Sequence, residues 1–304
     1  MKGWARLFAT AFAVATAACT LAPPVPPADS AAAREQLLAT SWMRESLEYR
    51  FLSEEVYRAA AAALDKALAE PGTASLEQES DPGYMSLPPA VVLDIDETTI
   101  GTIDFSARLV AEGRYVDKTV LARDWPAWIR DPANGRVVPG AVEFVRAAKA
   151  RGVRVIFLTN RECPLVPSDA SGRAACAERK AAVQALTRVG IPDVREEDVI
   201  LAGGPERWTI DKAPRRQVVA KRYRIVMLVG DDLQDLVPQS VAEKMRAGAA
   251  AEAHDRVGTR WFLLPNPVYG SWERYISRAC TEDGARLEVG YECHYRAISK
   301  PVSP

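Results

Sequence analysis

Apolar residues return along this chain in two different rhythms. Between residues 35 and 69 they come at mostly helical spacing, at Leu37, Leu38, Trp42, Leu47, Phe51, Leu52, Val56, Ala59, Ala60 and Leu64, with good helix formers between them. That spacing predicts one long helix or a helical pair. From Ala90 onward the apolar positions form short, largely continuous runs instead, at 90–93, 153–158, 199–202, 225–229 and 260–264, interrupted only by Arg154 and preceded by Arg260 in the last, and separated by helical stretches at 142–150, 174–189 and 214–222. Strands that are continuously apolar rather than alternating have both faces covered, which predicts an α/β protein: a Rossmann-like parallel sheet with helices on both faces, preceded by the helical segment. Residues 71–89, with Gly72, Gly83 and four prolines, read as a linker between the two.

The first residues follow neither rhythm. Lys2 and Arg6 begin a positively charged start, residues 7–18 are predominantly apolar, and Cys19 follows Ala17 and Ala18. This predicts a secretory signal peptide over 1–18, too short to span a bilayer. Small residues directly before a cysteine resemble the lipobox of bacterial lipoproteins, which predicts a lipid anchor on Cys19 and a Pro- and Ala-rich tether over 19–33. Thr16 stands where that motif usually has Leu, so ordinary signal cleavage nearby is the alternative. The remaining organisation expected is a helical segment and linker over 34–87, a core over 88–275 and a C-terminal extension over 276–304.

Composition supports a packed body: of 304 residues, 48% are hydrophobic, and 39 basic against 40 acidic side chains leave a net charge of −1. No basic cluster advertises binding to a nucleic-acid polymer. With Cys19 set aside, four cysteines remain, an even number for an oxidising compartment. Of the three pairings, the local ones, Cys163 with Cys176 and Cys280 with Cys293, are favoured because each closes a short loop. Free thiols are the alternative, and no Cys-x-x-Cys pair suggests a metal.

The polar residues then fall at one end of the predicted strands. Asp94 and Asp96 follow the first; Thr159, Asn160 and Arg161 follow the second; Asp231, Asp232 and Asp235 follow residues 225–230. Open parallel sheets bind ligands beyond the carboxyl ends of their strands, so these clusters should meet. Carboxylates converging from Asp94, Asp231 and Asp235 repel one another unless a cation lies between them, and oxygen ligands without His or Cys suit Mg2+. Thr159 and a lysine could hold a phosphate beside it. Lys212, just ahead of a predicted helix, is the best-placed lysine, with Lys180 and Lys221 as competitors.

The motifs "DIDET" at 94–98, "TNR" at 159–161, Lys212 and "GDDLQD" at 230–235 resemble, in order, those of the haloacid dehalogenase superfamily of phosphohydrolases. Within it, "DWPAW" at 124–128, "VPGAVEF" at 138–144 and "LPNPVYGSWE" at 264–273 are similar to the class C acid phosphatases, secreted lipoproteins that act as 5′-nucleotidases. The resemblance runs from about Trp42 to Glu273. It implies that Asp94 is the nucleophile, that Asp96 is the general acid and base, and that Thr159, Asn160 and Lys212 bind the phosphoryl group. It implies Mg2+ held by the Asp94 carboxylate, the Asp96 carbonyl, Asp231 and Asp235, and a nucleobase sandwiched by Trp125 and Tyr269. Asp232 reads as a cap or supporting residue. Small cap insertions after the first two motifs are implied, and 104–118 and 163–176 match nothing in the family pattern. His254 and His294 have no partner spacing, against a histidine phosphatase or zinc hydrolase. The expected substrates are phosphate monoesters, nucleoside 5′-monophosphates foremost, met in the bacterial cell envelope, at the outer membrane or in the periplasm. The alternatives are a phospho-acceptor signalling module, opposed by the signal peptide and the Asp94–Asp96 pair, and a non-catalytic phosphate-ester-binding or storage protein, opposed by the intact Asp94. Oligomeric state is left open.

Overall fold

A computed structural model describes residues 31–114, 118–164, 176–248, 254–282 and 291–299. The proposed signal peptide, Cys19 and the tether lie outside them. The helical segment is a pair, α1 (Ala31–Glu45) and α2 (Leu47–Ala69). Ser46 breaks them apart in an extended conformation, and its hydroxyl accepts from the Tyr49 N–H at 3.1 Å, satisfying one of the free donors of the first turn of α2. Tyr49, Ser53, Tyr57, Ala60, Leu64 and Ala67 are spaced three or four residues apart along the buried stripe of α2.

That stripe packs on a five-stranded parallel sheet of order β5-β4-β1-β6-β7. Its strands are β1 (Pro89–Leu93), β4 (Arg154–Cys163), β5 (Val199–Gly203), β6 (Arg224–Gly230) and β7 (Trp261–Leu263). Between β1 and β4 lie β2 (Ile100–Gly101), α3 (Ile103–Ala111), α4 (Lys118–Arg130), β3 (Arg136–Val137) and α5 (Ala141–Ala150); β2 and β3 pair antiparallel as a separate ribbon. The rest of the chain adds α6 (Ala177–Arg188), α7 (Ala213–Ala220), α8 (Leu233–Leu236), α9 (Gln239–Arg246), α10 (Ser271–Glu282) and α11 (Tyr291–Ser299).

The period of two in each strand divides the core. Val91, Leu93, Val155 and Phe157 face α2, α5 and α6, while Ala90, Val92, Ile156 and Leu158 face α7, α8 and α9. Full burial of such side chains contributes about 1.5–3 kcal/mol each. At the start of α5, Gly140 has φ +91°, and a Cβ there would lie 2.8 Å from the Tyr57 Cβ, so α2 and α5 approach closely only through a glycine.

Residues 71–89, read from the sequence as a linker, connect the helical pair to β1 and are packed into the body. Thr73, Ala74, Ser75 and Gln78 are buried, the Ala74 N–H donates to the Ile225 carbonyl, and Gln78 Nε2 donates to the Ala220 and Tyr223 carbonyls at 2.8 Å each. The stretch forms only two short 3-10 helices, Leu76–Gln78 and Pro82–Ser86, leaving other backbone and amide groups to pair with the rim of the sheet. In addition, β4 runs on to Cys163, so Thr159, Asn160 and Arg161 lie on the strand rather than after it; its register against β5 shifts between Leu158 and Glu162.

The insertion between β1 and α5 is the cap. Phe105 and Leu109 of α3 pack with Val120, Leu121, Trp125 and Trp128 of α4, and Met43 and Trp42 of α1 pack against Ile103 and Val268. Cys163 is disulfide-bonded to Cys176. Cys293 is also disulfide-bonded, and the side chain of Cys280, its expected partner, lies outside the described residues. Among the described residues no helix is long and apolar enough to cross a membrane.

Candidate active site

Strand β1 ends into a tight turn that reverses the chain. The Asp94 N–H donates to the Val229 carbonyl, completing the sheet, and the Thr99 and Ile100 N–H groups both return to the Ile95 carbonyl. Glu97 sits in the left-handed region at φ +57°, an unfavourable conformation for a side chain with a Cβ. Thr99 Oγ1 donates to the Asp94 carbonyl, and Tyr57 Oη of α2 donates to the Thr98 carbonyl at 2.6 Å, so the turn is held from within and from behind.

The neighbouring strand β6 delivers the second group. A Cβ on Gly230 would overlap the Asp235 side chain, so the chain can fold back over the strand end only if residue 230 is glycine. Asp231 Oδ1 accepts from Thr98 Oγ1 at 2.7 Å and its Oδ2 from Asn266 Nδ2 at 2.8 Å. Asp232 caps α8 by accepting from the Gln234 N–H, and it also accepts from the Ser271 N–H and hydroxyl, as a supporting residue should. Asp235 Oδ2 accepts from the Asp232 N–H at 2.9 Å.

Lys212, immediately before α7, joins the two groups. Its buried Nζ donates to Asp94 Oδ1 and to Asp235 Oδ1, each at 2.5 Å. Burial alone would lower the Lys212 pKa, but Asp235 and Asp94 outweigh it and hold the ammonium above its ordinary range. The carboxylates show the opposite strain. Burial, opposed by Lys212 and reinforced by Asp235 and Asp96, raises Asp94 to about 7; burial, Asp235 and Asp94 push Asp231 well above the carboxylate range.

One ligand oxygen from each of Asp94, Asp231 and Asp235 can be chosen so that all three lie within 4.8 Å of one another. With all three ionised, three carboxylates and one ammonium leave two negative charges, and all the donor atoms are hard oxygens. That set fits a divalent cation. Among the described residues it is the cluster of acidic, His or Cys side chains with this property.

Asp96 stands apart from that cluster. Arg161 on β4 grips it, with Nη2 donating to Oδ1 at 2.8 Å and Nε to Oδ2 at 3.0 Å, and Thr159 Oγ1 lies 3.3 Å from Oδ2. Thr159 is fully buried, whereas Asn160 is exposed, with its Oδ1 accepting from Arg215. Tyr269, in the loop after β7, is half-buried beside Met43 and Trp42. Burial, then Glu97, Asp231 and Asp96, hold its hydroxyl well above its ordinary range. Trp125 stacks on Trp128 at 5.7 Å and meets Phe105 edge-on; no ring contact joins Trp125 to Tyr269 among the described residues.

The structure therefore brings Asp94, Asp96, Thr159, Lys212, Asp231 and Asp235 to the carboxyl ends of β1, β4 and β6, with Tyr269 close by and Trp125 on the cap. Sequence reasoning did not single out Thr98, Asn266, Arg215 or Arg216 as site residues, and it named Arg161 without a role. Thr98 and Asn266 lie inside motifs that were recognised, which was the available signal.

Comparison with known proteins agrees with this arrangement. A family model described as HAD superfamily, subfamily IIIB (acid phosphatase) matches residues 24–272. Among solved structures, a class C acid phosphatase from Bacillus anthracis shares the fold, with 24% identity, a TM-score of 0.66, and 90% of this chain and 99% of that chain covered. A class C acid phosphatase from Bacillus anthracis with tungstate bound is similar at 23% identity and the same TM-score of 0.66, with the same 90% and 99% covered.

Proposed function

The chain belongs to the HAD superfamily, subfamily IIIB of acid phosphatases, and is a phosphomonoesterase; from that premise we propose that it is magnesium-dependent, prefers nucleoside 5′-monophosphates and works outside the cytoplasmic membrane. The observation that carries the metal reading is the convergence of three oxygen ligands, Asp94, Asp231 and Asp235, with Lys212 as the one cation paired to them in direct contact among the described residues. Asp94, Asp231 and Asp235 would hold the ion, with the Asp96 carbonyl as a further ligand. Bound magnesium offsets the charge of these carboxylates and of the approaching phosphate.

In the proposed reaction Asp94 attacks phosphorus in line, forming an aspartyl-phosphate as the ester P–O bond breaks. For the first step Asp96 must enter protonated, with one oxygen released from Arg161; it gives that proton to the departing alcohol oxygen, then takes one from the water that attacks the intermediate, releasing phosphate and restoring Asp94. Thr159, Asn160 and Lys212 hold the phosphoryl oxygens; Lys212 already touches Asp94, so its charge lies where the phosphate must come. Support for a nucleotide is the placement of Tyr269 near Asp231 and Asp96 and of Trp125 on the cap. Support for export and a lipid anchor is the run 7–18 ahead of Cys19.

The test is hydrolysis of p-nitrophenyl phosphate and of nucleoside 5′-monophosphates after chelation and after magnesium is restored. Activity should vanish and return, and nucleotides should give the higher kcat/KM. Trp125→Ala should raise KM for nucleotides and leave that for p-nitrophenyl phosphate nearly unchanged. Turnover that survives chelation would overturn the metal reading; equal use of all esters would overturn the nucleotide preference.

A further inference from the structure

One turn of α7 carries two adjacent arginines, Arg215 and Arg216, both with no exposed surface. Burying a guanidinium is costly unless its donors are met, so their partners indicate what they are for. Arg215 Nη1 donates to the Thr159 carbonyl at 2.5 Å, and its Nη2 donates to Asn160 Oδ1 at 2.6 Å and to the Thr209 carbonyl at 3.0 Å. Those partners are uncharged, and its Nε–H is buried without an acceptor. Arg216 faces the other way. Its Nη1 donates to the Gln234 and Asp235 carbonyls at 2.9 and 3.1 Å, and its Nε and Nη2 donate to Glu77 Oε1 at 2.9 and 2.6 Å. Glu77 comes from the buried stretch before β1, its side chain only 4% exposed, and its Oε2 accepts from Ser75 Oγ.

The charge balance of the two differs accordingly. Arg216 is neutralised by Glu77, so it can hold the backbone of Asp235 without repelling a cation bound by the Asp235 carboxylate. Arg215 has no carboxylate hydrogen-bonded to it, Asp94, Asp235 and Asp211 acting on it only through space, and its positive charge lies behind Thr159 and Asn160, on the side where an oxyanion is expected.

We propose that Arg215 and Arg216 are positioning residues that divide the active site between them, Arg215 supporting the phosphate-binding end of β4 and the Arg216–Glu77 pair supporting the cation-binding loop after β6. The division rests on the magnesium-dependent reading above and deepens it. Glu77 thereby makes the stretch before β1 part of the metal site, although it touches no ligand.

The experiment uses the full chain as wild type, Glu77→Gln, Arg216→Lys and Arg215→Lys, each checked for native circular dichroism. Mn2+ alone is titrated with free ion read by electron paramagnetic resonance, and inhibition by inorganic phosphate is measured separately. Glu77→Gln leaves a buried positive charge beside the cation loop, so Mn2+ affinity should fall at least about tenfold. Measured at Mn2+ concentrations that saturate each variant, so that cation occupancy is equal, the phosphate inhibition constant should move by less than about twofold. Arg216→Lys should follow Glu77→Gln, and Arg215→Lys should show the reverse split. Should either arginine variant fail to fold, Glu77→Gln alone decides. Unchanged Mn2+ affinity in Glu77→Gln, or a parallel shift of both constants in any variant, would overturn the division. A wild-type chain that binds no Mn2+ would instead sink the metal-dependent reading itself.

Discussion

Asp94 and Asp96 stand on the same turn, yet the buried charge around them is built in opposite ways. Asp94 shares one ammonium, Lys212, with Asp235, and Asp231 crowds in beside them, so its side of the site carries surplus negative charge. Asp96 has a guanidinium to itself: Arg161 meets both its oxygens, and the pair is balanced. The lesson is that one side is incomplete as a protein structure and the other is complete. An unbalanced cluster stores electrostatic work that a cation and an anionic ester can release, whereas a balanced pair fixes the position of a side chain.

The sharpest way to break this comparison is to remove each charge in turn. Asp94→Asn should abolish turnover, by at least about a thousandfold, as loss of a nucleophile does. Because it relieves repulsion, it should also make the metal-free protein more stable, by about 1 kcal/mol. Asp96→Asn should lower turnover as well but leave the buried Arg161 charge uncompensated, destabilising the fold by about 2–3 kcal/mol. Thermal unfolding of both variants in chelator checks the signs, and two shifts in the same direction would erase the distinction.

Acidity offers the next test. Asp94 is raised to about 7 and Glu97, mainly by burial, to about 8. A folded state with raised carboxylates binds more protons than the unfolded chain between about pH 4 and those values, so stability falls as pH rises through that window. Metal-free protein should therefore be most stable near pH 4 to 5 and lose stability toward pH 8, with magnesium reducing the slope. Melting temperatures across that range, with and without metal, provide the check; a metal-free curve that rises with pH would show that repulsion does not dominate.

The smallest effect on turnover concerns the end of β4 beyond Arg161. Closing a loop of 13 residues, the Cys163–Cys176 bridge should contribute about 3 kcal/mol through the unfolded chain. Cys176→Ser should cost about that much in denaturant, while kcat at low temperature stays within about twofold, since Arg161 and Thr159 remain held by β4. A large loss of kcat would mean that the balanced side depends on the covalent link.

Much of this architecture was legible in the chain. Largely continuous apolar runs mark all five parallel strands because strands covered on both faces have no polar side to show, and the acidic motifs locate the ends of β1 and β6. The resemblance implies cap insertions, but their helices α3 and α4 were not legible, because they bury their apolar stripes on each other and carry Arg and Asp elsewhere. Nor was the depth of residues 73–78, where polar side chains are buried against partners far along the sequence. Arg215 and Arg216 illustrate the same limit: nothing local distinguishes them from the exposed Arg222 of the same region.

The insertion of residues 73–78 against β6 also bears on biosynthesis. Thr73 Oγ1 meets the Ile225 carbonyl 152 positions later, and Gln78 meets the Tyr223 carbonyl 145 positions later. As the chain emerges from the ribosome, the strand carrying Asp94 is among the first parts of the sheet to appear and must wait for its flank until β6 has been translated. The nascent polypeptide is thus latent by topology: the cell makes the nucleophile early and receives a working hydrolase only once the later strands have closed around it.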